Sequence, residues 1–102
     1  MVPPLYRQGD VLIGAIAAVP EGAKRLRRLV LATGDATGQR HVLERARGVR
    51  LFEHGGQLFV DVDAEQARVV HPEHGPIELP RGRYRVWKQR EWHGGQIRDV
   101  VD

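Results

Sequence analysis

Hydrophobic positions in this chain fall in short alternating runs, and glycine or proline interrupts them roughly every eight to twelve residues. Such a rhythm predicts short strands joined by tight turns. Leu5 to Val19, centred on Val11-Leu-Ile, ends at the turn Pro20-Glu-Gly22. Leu26 to Thr33 ends at Gly34-Asp35, and His41 to Glu44 forms a short third strand. Val49 to Glu53 and Leu58 to Asp63 flank His54-Gly-Gly56, a hairpin signal with glycine available for positive φ. Ala67 to His71 leads into a turn over 71–76, followed by a brief Ile77-Glu-Leu79. Pro80-Arg-Gly82 predicts a tight turn into the longest alternating run, Arg83 to Gln89.

The one competing pattern is helical, Ala64-Glu-Gln-Ala67, and it is too short to persist without packing. The expected fold is therefore all-β: a small single-domain barrel or roll of six to seven short, mostly antiparallel strands. A barrel removes the exposed edges that so short a sheet would otherwise present. Residues 1–92 are expected to make the domain, with 93–102 as a terminal edge strand or tail. Alternation sorts the faces. Tyr84, Val86 and Lys88 fall opposite Arg83, Arg85, Trp87 and Gln89. Leu58, Val60 and Val62 fall opposite Phe59, Asp61 and Asp63, while Arg50, Phe52 and His54 share a face. The apolar sets point inward, and the mixed sets point outward or into a partner.

With 102 residues, the chain has room for one core. It contains no cysteine, which excludes a disulfide framework, a thiolate zinc site and a cysteine nucleophile. No apolar run is long enough for a membrane-spanning helix, and the first residues do not read as a secretory signal. A soluble cytoplasmic domain with no membrane partner is the expectation.

Charge is unevenly spread. The net charge is +3, yet residues 24–50 carry eight Lys or Arg against Asp35 and Glu44, while residues 51–80 carry six acids against Arg68. Residues 81–102 are basic again, with six Lys or Arg against three acids. A fold that joins the second and fourth segments would have a basic face; alternatively the segments form salt bridges across a sheet. Arginine outnumbers lysine 14 to 2, a bias that a GC-rich genome also produces.

Three features carry chemistry. Arg81, Arg83, Arg85 and Trp87 share one face of a strand, where guanidinium groups beside an indole suit phosphates and an exposed base. Lys24, Arg25, Arg27 and Arg28 would add to that basic surface. The alternative is a solvated face around a tryptophan in a minor core. The second feature is histidine. His71 and His74, with Glu73 between them, could meet His41 as three ligands of a divalent metal or as acid and base on a phosphodiester. A hydrogen-bonded histidine at the core's rim is the plainer reading of His71, and the cofactor stays open. Third, the loop Gly34 to Arg40 offers Thr37 and Arg40 to an anion, or is simply a turn. It lacks the Lys-Ser/Thr ending of a phosphate-binding P-loop, and no GxSxG, GxGxxG or HExxH occurs.

Gln8-Gly-Asp-Val-Leu12, Gly34-Asp-Ala-Thr-Gly-Gln-Arg-His41, His71-Pro-Glu-His74, Gly82-Arg-Tyr-Arg-Val86 and Gln89-Arg-Glu-Trp92 occur in that order. Together they resemble a group of short bacterial and phage proteins whose pattern ends in Gln-Arg-Glu-Tyr. The resemblance covers most of the chain and implies no substrate, cofactor or catalytic residue. Gln39 stands where that group has histidine in a Gly-His-x-His form, and Trp92 where it has tyrosine. Gly9-Asp10-Val11 and Val30-Leu31 are similar to the opening strands of RNA-cleaving toxins with an SH3-like barrel. The Arg-Pro of those toxins is absent here, since Leu29 follows Arg28.

Three functions follow as expectations. The first is a small basic β-barrel binding RNA or single-stranded DNA through Lys24, Arg25, Arg27, Arg28, Arg83, Arg85 and Trp87. The second is a histidine-dependent hydrolase or ribonuclease using His41, His71 and His74. The third is a protein-interaction or homodimerisation module anchored on Phe52, Phe59 or Trp87.

Overall fold

In the computed structural model, the backbone is described for residues 4–34, 38–93 and 96–99, and side chains for 4–34 and 38–89. The inward positions of the alternating runs meet in one core, which includes Val11, Ile13, Leu51, Val60, Val69, Leu79, Tyr84 and Val86. They are carried by β1 (Leu5–Gln8), β2 (Val11–Ile16), β3 (Lys24–Leu26), β4 (Val30–Thr33), β5 (Arg40–Leu43), β6 (Val49–His54), β7 (Gln57–Val70) and β8 (Ile77–Lys88). A separate hairpin pairs β9 (Arg90–His93) with β10 (Gln96–Asp99). The fold is all-β, an antiparallel sheet curled into half a barrel. Among the described residues there is no helix, and so none long and apolar enough to cross a membrane.

Strand β7 organises the sheet. One edge runs along β8, which continues to β2 and then β1. Its other edge is shared: residues 57–62 pair with β6, which carries β3, while Val69 and Val70 pair with β5, which carries β4. Between the two halves the register slips from Val62 to Gln66, a bulge that bends the strand. Gly48 holds this bend. Its carbonyl accepts the N–H groups of Asp63 and Ala64 at 2.8 and 3.0 Å. It lies at φ 72° with space for no side chain, since a Cβ there would come within 2.8 Å of the Ala64 Cβ.

Several boundaries differ from the pattern. The Leu5–Val19 run is two strands, reversed at Gly9 and Asp10, where Gly9 adopts φ 59°. Leu26–Thr33 is likewise interrupted, because β3 already ends at Leu26 and β4 starts at Val30. The stretches expected on either side of Asp63–Gln66 are one bent strand, β7, and the turn expected at Pro80-Arg-Gly82 is the middle of β8. Pro80 is tolerated there because β7 opposite it is irregular and makes an incomplete ladder. The hairpin at His54-Gly-Gly56 forms as expected, with Gly55 and Gly56 both at positive φ.

Candidate nucleic-acid interface

Cross-strand partners share a face, so the registers trace what lies on the convex side. One row crosses six strands: Arg25 of β3, Phe52 of β6, Phe59 of β7, Arg85 of β8, Gly14 of β2 and Leu5 of β1. The row on one side holds Arg50, Asp61, Arg83 and Ile16, and the row on the other holds Trp87, Leu12 and Arg7. Phe59 and Leu12 are buried on this face, at 5% and 8% exposure, yet neither belongs to the core cluster on the concave side. The convex face therefore has its own apolar layer.

Trp87 forms much of that layer's surface. One edge of its indole approaches Gly14, where a Cβ would meet Cη2 at 3.2 Å and Cζ3 at 3.3 Å. The Arg85 guanidinium sits 5.0 Å from the indole centroid, within cation–π range. Arg85 Nε is buried with no hydrogen-bond partner among the described residues. Arg83 and Arg50 flank Asp61 at 3.4 and 3.6 Å, so part of this basic set is engaged in cross-strand ion pairs. Asp61 is the single acid that the three rows place among Arg7, Arg25, Arg50, Arg83 and Arg85.

The remaining expected contacts are dispersed. Lys24 pairs with Glu53 and so falls on the opposite face from Arg25. Arg27 and Arg28 follow β3, exposed at the edge of a cleft. Arg81 donates from Nε to the carbonyls of Asp63 and Ala64 at 3.1 and 3.4 Å, which fastens it to the β7 bulge. Arg40 is exposed on β5, and Thr37 lies outside the described residues. Within the Gly34–Arg40 loop, the Gly34 and Gly38 amides donate to the loop's own carbonyls, of Gln39 and Gly34 respectively.

The three histidines do meet. Ring centroids of His41 and His71 are 4.3 Å apart, those of His71 and His74 4.5 Å, and those of His41 and His74 6.1 Å with planes 10° apart. The rings lie over one another, and no group of three or more His, Asp or Glu among the described residues is arranged to hold a metal ion. Gln8 and Asp10, at the end of β1 and in the turn after it, are both 2% exposed beside His41. Gln8 Nε2 donates to the carbonyls of Val69 and Gly75 at 3.2 and 2.9 Å, so its Oε1 accepts from His41 Nδ1 at 2.9 Å. His41 Nε2 faces Asp10 Oδ1 at 3.8 Å, and Lys88 Nζ stands 3.7 Å from the other oxygen. Lys88 also donates to the Thr33 carbonyl at 3.2 Å, tying β8 to β4. His71 Nδ1 accepts the Glu73 N–H at 3.0 Å, which places the proton of the neutral ring on Nε2.

A family model described as Domain of unknown function (DUF8820) matches residues 7–89, a span that holds both the convex rows and the histidine stack. The chain belongs to that family. No curated protein and no solved structure matches it. The span begins at Arg7 on the convex face and closes at Gln89, whose side chain accepts a hydrogen bond from that same arginine.

Sequence reasoning passed over Gln8, Asp10 and Lys88 as chemistry. The available signal was two polar residues on either side of Gly9, immediately before the most apolar stretch of the chain. Polar side chains so placed are driven inside when the next strand is buried, and there they must find partners.

Proposed function

We propose that the convex face of the half-barrel binds single-stranded nucleic acid, RNA or DNA. The supporting observation is the row Arg25–Phe52–Phe59–Arg85 with Trp87 beneath the Arg85 guanidinium. Phe52 and Trp87 are part-exposed there. A base stacked on an aromatic face is worth about 1–3 kcal/mol, the guanidinium over Trp87 offers a further plane for stacking, and the arginines alongside neutralise phosphates. A sheet surface gives that arrangement rigidity, because every side chain in the row is fixed by its strand's register. Gly14 contributes by its lack of a side chain, since a Cβ there would press on the Cη2–Cζ3 edge of the indole. Duplexes are disfavoured by the same surface, because their bases are already stacked and cannot reach Trp87.

A fluorescence-anisotropy titration with a labelled oligonucleotide of about ten nucleotides tests the reading, a length within the range such folds cover. Wild type should bind, Trp87→Ala should weaken binding by about tenfold or more, and Arg85→Ala should weaken it comparably. Equal affinity of wild type and both variants, or equal affinity for a duplex of the same sequence, would overturn it.

A further inference from the structure

At the free edge of β3, on the core side of the sheet, lies a cleft of about 620 Å³ between β3, the 27–29 connection and β6, within the range of small-ligand pockets. Its floor is apolar: Leu26 and Leu29 pack against the core, and Val49 and Leu51 are core residues. Its rim is basic, with Arg25, Arg27 and Arg28 all exposed. None of the three is in an ion pair among the described residues, and no described lining residue is acidic. An apolar floor beneath three exposed guanidinium groups fits a ligand with a flat apolar body and an anionic attachment.

Arg25 links this cleft to the convex row, because it both ends the row and lines the cleft. β3 pairs with β6 alone, so a strand lying over Arg85, Phe59 and Phe52 reaches the cleft mouth by turning round the β3 edge at Arg25. We infer that the cleft receives the nucleotide that follows the row, with its base against Leu26 and Leu29 and its phosphate held by Arg27 and Arg28. This rests on the single-strand reading of the convex face and extends it to a second, separable subsite. Hydrophobic and lacking polar side chains in its floor, the subsite accepts a base by shape and contact, so it discriminates little among bases. Guanidinium planes at the rim can cover the exposed face of that base while their charge stays near the phosphate.

Two probes separate the subsite from the row. A nucleoside monophosphate titrated against isotope-labelled protein should shift the Leu26 and Leu29 methyl resonances, and the Arg27→Ala/Arg28→Ala protein should lose those shifts. Trp87→Ala should keep them. With an oligonucleotide ladder, the arginine pair should remove the gain from the last nucleotide of the footprint, about tenfold, while Trp87→Ala weakens every length. Both arginines are exposed, so the double variant should fold as wild type does. If the monophosphate leaves Leu26 and Leu29 unmoved and the arginine pair weakens all lengths alike, the cleft is no subsite and the convex-face reading stands. If Trp87→Ala changes nothing while the cleft shifts persist, the row fails and the cleft remains as a nucleotide site. Failure of wild type to bind either probe overturns both.

Discussion

Tyr84 lies in the core with its hydroxyl donating to the Pro80 carbonyl at 2.6 Å, and burial raises its pKa above the ordinary 10.0, with Tyr6 adding a smaller push. The folded state therefore holds this proton more tightly than the unfolded chain. Its stabilising effect is complete below about pH 10 and is lost as pH climbs through the raised folded value. Replacing Tyr84 with Phe should flatten the alkaline fall in stability, as read from urea midpoints measured between neutral and strongly alkaline pH. Gly48 gives a second expectation at this scale. Gly48→Ala must strain a positive-φ backbone and push against Ala64, so it should cost about 1–3 kcal/mol, seen as a lowered thermal midpoint. The identity of convex-face side chains was legible in advance, because period-2 alternation puts Arg83, Arg85 and Trp87 together whatever the topology. Convergence of His41 on His71 was not, since it depends on β5 pairing with β7 rather than on any local pattern.

At the scale of elements, β7 and β8 carry the main departures from the sequence pattern. Ala64-Glu-Gln-Ala67 reads locally as a break with a helical pattern and Pro80-Arg-Gly82 as a turn, and the same residues serve in a bent strand pair where a bulge relieves the ladder. Local chemistry could not choose between the two, because each asks for weak strand propensity and a tolerant backbone. The hairpin at Gly55-Gly56, by contrast, needs only its two flanking runs and its glycines, and it was legible for that reason. Arg81 pins the bulge from β8 through the carbonyls of Asp63 and Ala64. Arg81→Ala should therefore speed amide hydrogen exchange around residues 62–66 while lowering global stability by only about 0.5–1 kcal/mol. Uniform exchange acceleration across the sheet would contradict that division of roles.

For the whole molecule, the sequence posed a choice between a basic face and ion pairing across the sheet, and the structure contains such ion pairs. Asp61 engages Arg50 and Arg83, whereas Arg25, Arg27 and Arg28 are not in ion pairs among the described residues. With three or four phosphate contacts on single-stranded nucleic acid, the logarithm of affinity should fall against the logarithm of salt with a slope of about −2 to −3. Oligonucleotide titrations across a potassium chloride series measure it, and a slope near zero would contradict a phosphate-led interface. The placement of β8 bears also on how the protein is made. Val11 lies opposite Lys88 and Ile16 opposite Arg83, so the buried face of β2 waits for nearly the whole described chain before its partner exists. During translation that apolar segment leaves the ribosome long before the strand that covers it, and non-local pairings of this kind form slowly. The nascent chain must therefore cross an interval in which β2 lacks this partner, and that part of the sheet can zip together only once β8 has emerged.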